Sequence, residues 1–183
     1  MALERKKTLN VFREATQAWG SHDEFPVGPK GTDPMPHLSR SRVAQPFFVI
    51  NAADQVLIHL AGRARLELRE TDVTAMALVP GDTVYIPAGV PSRLVPDGEA
   101  LDLRLKAEPP AAEAVVWYCR CGARITAREI ETPVVQEGWW RAVHEFNGDA
   151  QLRTCAGCGE VHAPAELGDI AWPDVAAAIA ADG

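Results

Sequence analysis

The sequence predicts a mainly β protein that ends in a small metal-binding subdomain. Three observations predict this fold class. Short strand-like segments recur between about residues 40 and 106, turn residues separate these segments, and all four cysteines come after them, between residues 119 and 158. Strands at intervals of roughly 8–12 residues are typical of a β-sandwich or β-barrel. We therefore expect a barrel followed by a compact region that carries the cysteines.

The first 36 residues are predicted to form a helix and an irregular arm. Gly20 ends a pattern of apolar side chains at helical spacing within residues 3–19, formed by Leu9, Val11, Phe12, Ala15 and Trp19. A stretch rich in proline and glycine follows from residue 25 to residue 36. This composition favours irregular chain.

The barrel is predicted over residues 37–110. Residues 63–69 and 101–106 alternate apolar with polar side chains, which is the pattern of a strand with two different faces. Three further segments, 56–60, 75–79 and 83–86, are apolar runs bounded by Gly62, by Pro80-Gly81-Asp82 and by Pro87. Turn residues at these positions predict that each run is a separate strand.

The four cysteines form two close pairs, Cys119 with Cys121 and Cys155 with Cys158. Two such pairs are typical of a tetrahedral thiolate site for zinc or for a single iron of the rubredoxin type. Disulfides are disfavoured because the residues of a Cys-x-Cys pair bond each other poorly, and four unrelated buried thiols are the other alternative. We predict one zinc or iron per chain here, with His162 beside the site rather than ligating the ion.

The metal site is predicted to close a subdomain over residues 111–183. An alanine-rich helix from Trp172 to Asp182 ends it, and Pro173 and Asp174 suit the first turn of that helix. The core of the subdomain is small for independent stability, so a bound metal ion is expected to contribute to folding. The residues predicted for that core are Trp117, Ile125, Val134, Trp139 and Trp140.

Composition and charge exclude several functional classes. Apolar residues make up 47% of the chain, enough for a buried core, and the formal net charge is −7. An acidic chain without a basic stripe is not expected to bind nucleic acid. No apolar run reaches the roughly 18 residues of a membrane span, and the N-terminal segment lacks the apolar stretch of a secretory signal. We expect a cytoplasmic protein that does not bind membranes.

Residues 81–92 resemble the second cupin motif, G-x5-P-x-G-x2-H, except that Ser92 replaces the histidine. Residues 55–62 resemble the end of the first cupin motif, again with the metal-binding residue changed. Over nearly its whole length the chain resembles the 3-hydroxyanthranilate 3,4-dioxygenase family in its bacterial two-metal form. That resemblance rests on Pro26-Val-Gly-x-Lys30, residues 51–62, residues 80–91, Trp117-Tyr-Cys119 and the segment from Leu152 to His162.

The resemblance implies a cupin (double-stranded β-helix or jelly-roll) barrel, a homodimer, and an iron(II) centre that opens the ring of a 2-amino-3-hydroxybenzoate with O2. Such a centre needs two histidines and one carboxylate. The family's ligand positions fall here on Val49, Gln55 and Ser92, and its substrate arginines align near Gln45 and Pro96. Valine cannot bind a metal, and glutamine and serine are weak neutral ligands, so we predict that the barrel iron is absent.

Three functional hypotheses follow. In the first, the barrel acts on or binds a small aromatic carboxylate without a metal, and the candidate catalytic residues are His59, Ser92, Arg93 and Arg104. In the second, the barrel is a non-catalytic paralogue that binds a ligand or a partner subunit; His59 is then a hydrogen-bonded core residue and the arginines face solvent. In the third, iron is bound in a shifted strand register by His37, Asp54 and His59.

Overall fold

The computed structural model describes residues 10–108, 111–132 and 134–182. The strands in this part of the chain are β1 (His22–Pro26), β2 (Met35–Ser41), β3 (Phe48–Asn51), β4 (Gln55–Leu68), β5 (Ala75–Leu78), β6 (Thr83–Ile86), β7 (Ser92–Lys106), β8 (Glu113–Tyr118) and β9 (Arg124–Ile130). The helices are α1 (Val11–Glu14), α2 (Val135–Gly148) and α3 (Trp172–Asp182). The predicted fold class, mainly β with a C-terminal four-cysteine cluster, is confirmed.

The strands form one curled sheet shaped as a half-barrel, and the pairings between them are antiparallel. β7 lies at the centre of this sheet because it pairs with β2 on one edge and with β4 on the other. Leu103 of β7, for example, faces both Leu38 and Ile58. β4 carries β5 and β6 on its remaining edge. The long strands β4 and β7 therefore form the frame that positions the barrel side chains.

β3 joins the barrel strands to the C-terminal strands. It pairs with β7 where Val49 faces Ser92, and with β8 from Phe48 to Asn51. β9 then pairs with β8. The sheet thus runs across the predicted boundary at residue 110, and the division of the chain into 1–36, 37–110 and 111–183 stays a prediction.

Gly62 produces a bulge inside β4. Its φ is +82°, and a Cβ atom at this position would lie 2.0 Å from the carbonyl oxygen of Glu99. The register between β4 and β7 shifts on both sides of Ala61. The segments 56–60 and 63–69, predicted as two strands, are therefore one bent strand whose buried residues change parity at the bulge, from Gln55, Leu57 and His59 to Ala64, Leu66 and Leu68.

The largest apolar core lies where α2 and α3 cover β3 and β8. Trp139 and Trp172 are fully buried in it, and the ring of Trp117 stacks on Phe146 with 4.2 Å between ring centres. Phe47, which precedes β3, belongs to the same core. Of the residues predicted for this core, Trp117 and Trp139 are buried, Ile125 and Trp140 pack at its edge, and Val134 caps α2.

The predicted N-terminal helix is short in the described residues. α1 and a 3-10 turn, Ala15–Gln17, make up its described part, and Leu9 lies outside the described residues. Phe12 and Trp19 are more than half exposed, whereas Ala15 is buried. The predicted irregular arm is shortened at both ends by β1 and β2, while the predicted C-terminal helix is present as α3. None of the described helices has the length and apolar character needed to cross a membrane.

Candidate functional site

The four cysteine sulfurs converge in the C-terminal region. Sγ of Cys119 lies 3.6 Å from Sγ of Cys158, Sγ of Cys121 lies 3.6 Å from Sγ of Cys155, and all four sulfurs are within 4.8 Å of one another. The four thiols are not joined in disulfides. Four thiolates around one tetrahedral ion at 2.3 Å would stand about 3.8 Å apart, so the spacing fits a single zinc or iron. The predicted clustering of the cysteines is confirmed, and the identity of the metal stays a prediction.

Turns after each cysteine pair aim the sulfurs at a common point. Gly122 and Gly159 have φ values of +92° and +75°, which side chains with a Cβ atom rarely adopt. The N–H groups of Cys158 and Gly157 donate to the sulfur of Cys155, which lowers the pKa of that thiol to about 7 although burial raises it. These hydrogen bonds favour the thiolate, which is the form that binds a metal ion.

Glu160 and His162 lie beside the cysteine site. The Glu160 carboxylate is 3.6 Å from Sγ of Cys119 and 3.8 Å from Nε2 of His162, and it pairs with the exposed Arg120. The position of His162 next to Glu160 agrees with its predicted place beside the site. This side of the metal site is therefore charged, whereas Cys155 is buried.

The second candidate site is a pocket of about 340 Å³ between the sheet and the start of α2. Alanines 53, 107, 111 and 112 and two larger aliphatic side chains, Ile130 and Val135, form its apolar wall. Its polar wall is formed by His37, Asn51, Asp54, Gln55, Lys106, Glu113, Glu131 and Thr132. An apolar pocket with a few convergent polar groups is the usual form of a small-molecule site, and this volume suits a small molecule.

Lys106 is the centre of a buried charge network at this pocket. Its Nζ lies 2.5 Å from Oε1 of Glu24 and 3.0 Å from Oε2 of Glu113, and Nε of Arg104 lies 3.6 Å from Oε2 of Glu24. Burial opposes charge on Glu24 and Lys106, but their opposite charges outweigh it. The pKa of Lys106 is therefore raised, and the pKa of Glu24 is lowered to about 2. Both groups are charged at neutral pH.

Two buried polar atoms of the pocket wall have no hydrogen-bond partner among the described residues. They are Nδ2 of Asn51, a donor, and Nδ1 of His37. Burial lowers the pKa of His37, although Glu24, 3.8 Å from its Nδ1, acts in the opposite direction. His37 is therefore a neutral imidazole at pH 7 that can accept a proton from a bound molecule.

The structure does not bring the four predicted catalytic residues together. Arg104 approaches the pocket, because its Nη1 lies 3.5 Å from Oε1 of Gln55 in the pocket wall. Ser92 is fully buried, and its Oγ has no partner among the described residues. Arg93 lies on the other face of β7, where it binds Glu67. Sequence alternation had left open which face each residue occupies.

His59 lies on the buried face of β4 with Gln55 and Leu57, as the alternation predicts. Its side chain is fully buried and does not line the pocket. Nδ1 lies 2.7 Å from Oδ1 of Asp102, and Nε2 lies 3.2 Å from the carbonyl oxygen of Gly62. Both ring nitrogens are thus engaged, and a proton-transfer role for His59 stays a prediction.

The residues present do not fit an iron centre in the barrel. His37, Asp54 and His59 do not converge, since Asp54 instead accepts the N–H of Ala88. Within the described ranges, groups of three metal-binding side chains occur at the cysteine site and not in the barrel. The aligned family positions, Val49, Gln55 and Ser92, supply no charged donor.

Sequence reasoning missed the charge network at the pocket, in which Lys106 and Glu113 line the pocket and Glu24 contacts Lys106. A signal existed for Lys106, because Arg104 and Lys106 are two residues apart on a predicted strand and so share a face. No comparable signal marked Glu24, because the residues around it lack an apolar alternation.

No protein-family model and no curated protein sequence matches the chain. Hydroquinone 1,2-dioxygenase PnpCD, in complex with Cd2+ and 4-hydroxybenzonitrile, is 17% identical with a TM-score of 0.48, over 57% of this chain and 83% of its own. Hydroquinone 1,2-dioxygenase from Sphingomonas sp. TTNP3, with 4-hydroxybenzoate bound, is 16% identical with a TM-score of 0.48. The match covers 57% of this chain and 84% of that protein. A cupin-2 domain containing protein from Shewanella frigidimarina NCIMB 400 is 15% identical with a TM-score of 0.47. The match covers 55% of this chain and 94% of that protein. All three TM-scores are below 0.5.

Proposed function

We propose that this chain binds a small aromatic carboxylate in the pocket next to Lys106, and that its barrel works without iron. It is then a divergent relative of the 3-hydroxyanthranilate 3,4-dioxygenase family. The observation that carries the proposal is a pair of donors on residues that line a pocket with an apolar wall. They are the Lys106 ammonium and Nδ2 of Asn51, which has no hydrogen-bond partner in the described part of the chain. A carboxylate accepts hydrogen bonds from both donors, while an aromatic ring packs against the aliphatic wall.

Lys106 has a donor left for a ligand. An ammonium group has three N–H bonds, and Glu24 and Glu113 are the two carboxylates that it contacts. The positive charges of Lys106 and Arg104 balance those two carboxylates. The buried network therefore carries no net negative charge that would repel a ligand carboxylate. Asp54 and Glu131 are two further carboxylates of the pocket wall, and Asp54 accepts a hydrogen bond from the N–H of Ala88.

His37 adds acid–base chemistry to the pocket. Its imidazole is neutral, and its Nδ1 has no hydrogen-bond partner among the described residues, which supports a role in accepting a proton from a ring hydroxyl or an ammonium group of the ligand. This feature favours metal-independent proton transfer over a purely ligand-binding role.

Calorimetric titration of the full chain with 3-hydroxyanthranilate and with benzoate tests the proposal. Lys106→Met and Asn51→Ala are each expected to weaken binding about ten-fold or more, as loss of a hydrogen bond to a charged group requires. Lys30→Met, a change of an exposed lysine outside the pocket, is the matched control. Asn51→Ala is the stricter variant because it leaves the charge network intact.

Two results would contradict this function. One is that neither aromatic acid binds, or that Asn51→Ala binds them as the parent does. The other is oxygen uptake with 3-hydroxyanthranilate after loading with iron(II), which would show that the barrel does hold iron. If the parent converts one of these acids, and His37→Gln binds that acid equally well but does not convert it, the result would support proton transfer by His37.

A further inference from the structure

A groove next to the cysteine site has the chemistry of an anion site. It measures about 230 Å³ and is lined by three arginines, Arg69, Arg93 and Arg120, with no acidic side chain among its lining residues. It shares no lining residue with the aromatic-acid pocket. We propose that this groove binds a phosphate group, either free phosphate or the phosphate of a small phosphomonoester.

Aromatic rings hold two of the arginines in place. Cζ of Arg93 lies 4.7 Å from the centre of the Phe48 ring, and Cζ of Arg69 lies 5.2 Å from the same ring and 5.8 Å from that of Tyr118. A guanidinium stacked on a ring keeps its in-plane N–H groups available for a planar or tetrahedral anion. The groove is therefore ordered before a ligand arrives.

Each carboxylate near the groove is held by an arginine, and two of these arginines, Arg93 and Arg120, line the groove. Glu67 binds Arg65 and Arg93, Glu160 binds Arg120, and Glu70 binds Arg124 and the hydroxyl of Tyr118. Arg69 has no carboxylate partner among the described residues. Of the three arginines that line the groove, Arg69 is therefore the one whose charge no described carboxylate balances.

Several N–H groups remain free for the ligand. Arg93 uses Nε and Nη2 for Glu67, and Arg120 uses Nη2 for Glu160, which leaves Nη1 of each without a protein acceptor among the described residues. Arg69 donates to no described side chain. A phosphate group matches the unbalanced charge of Arg69 and the free N–H donors of the three arginines, whereas the size of the groove limits the ligand to a small one.

Titration with inorganic phosphate and with phenyl phosphate, in a buffer free of phosphate, tests this site by calorimetry. Both are expected to bind the parent, and binding is expected to weaken as sodium chloride is added. Arg69→Ala is expected to weaken binding at least ten-fold, and Arg69→Lys several-fold because the bidentate geometry is lost. Arg63→Ala removes an exposed arginine of β4 outside the groove and should bind as the parent does.

The two probes distinguish the source of the phosphate. Equal affinities would assign the groove to free phosphate, and tighter binding of phenyl phosphate would assign it to an organic phosphomonoester. The proposal is overturned if neither probe binds at millimolar concentration, or if Arg69→Ala and Arg69→Glu both bind like the parent. Unchanged melting temperatures of the variants without phosphate would show that the loss is one of binding, since Arg69 is exposed.

Discussion

His59 and Asp102 form a hydrogen-bonded pair inside the sheet, with 2.7 Å between Nδ1 and Oδ1 and both side chains fully buried. The two residues face each other as register partners on β4 and β7. Because a carbonyl oxygen only accepts, the contact of Nε2 with Gly62 requires a proton on that nitrogen too. The hydrogen bond with Asp102 raises the pKa of His59, which favours the imidazolium.

Replacing His59 by alanine is expected to lower the free energy of unfolding by about 3–5 kcal/mol, because Asp102 would be left buried without its partner. The affinity for aromatic acids should stay unchanged. Urea unfolding and calorimetric titration measure the two effects, and removing Asp102 as well, as Asp102→Ala, should recover part of the stability. A variant with the stability of the parent but without its turnover would instead identify His59 as catalytic.

Stability is expected to fall as the solution is acidified from pH 6.5 towards pH 4. Burial lowers the pKa of His22 to about 4, so the folded chain keeps this ring neutral while the unfolded chain protonates it near pH 6.5. The resulting stabilisation, up to about 3 kcal/mol, is complete above pH 6.5 and is lost as the pH falls through about 4.

Glu24 adds a further loss of stability below about pH 4.5 because its pKa is lowered to about 2. His59 opposes this trend: its raised pKa stabilises the fold below pH 6.5, and that contribution is lost at higher pH.

His22→Gln isolates the first of these contributions. The variant cannot titrate, so its stability should change less between pH 6.5 and pH 4 than that of the parent. His144→Gln, at an exposed position of α2, should keep the slope of the parent. Equal slopes for His22→Gln and the parent would show that another group causes the acid sensitivity.

Gly62 and Gly98 allow backbone strain and steric overlap to be separated. Both have φ of +82°, but an added Cβ meets the carbonyl oxygen of Glu99 at 2.0 Å at position 62 and no atom within 4 Å at position 98. Gly98→Ala is expected to cost about 1 kcal/mol from its positive φ, and Gly62→Ala at least about 2 kcal/mol more. Chemical unfolding compares them, and equal costs would mean that the bulge relaxes freely.

The cysteine site is expected to hold one metal ion per chain, measured by plasma mass spectrometry on untagged protein. Cys158→Ser should lose the ion and unfold the tryptophan-rich core, detected by tryptophan fluorescence, whereas Thr154→Ser should keep both. A mutant that melts like the parent would rule out a structural role for the metal. Two ions per chain would contradict the proposal of an iron-free barrel.

The sequence identified those parts of the fold whose signal is local. Cysteine spacing predicted the thiolate cluster, and alternation predicted that residues 101–106 form a strand with two different faces. Alternation does not say which of the two faces of a strand is buried. In β7 the polar face is the buried one, with Asp102 and Arg104 nearly inaccessible to solvent. A rule that places charges outside therefore fails where the partners of those charges lie far away in sequence.

β1 shows the same limitation. This strand buries His22, Asp23 and Glu24, so it has none of the apolar alternation by which strands are recognised. Its polar residues are stabilised by α2, where Gln136 donates to Asp23 and to the carbonyl oxygen of Glu24. Contacts more than 100 residues apart cannot be inferred from a single sequence without coordinates.

β8 links the two candidate sites along one strand. Its first residue, Glu113, contacts Lys106 at the pocket, and the residue that follows its last is Cys119 at the metal site. Six residues of strand span only about 20 Å. Loss of the ion at one end of this strand is expected to disturb the carboxylate at the other end. A chelator is then expected to weaken the binding of aromatic acids in a pocket that the ion does not touch, which calorimetric titration with and without the chelator measures.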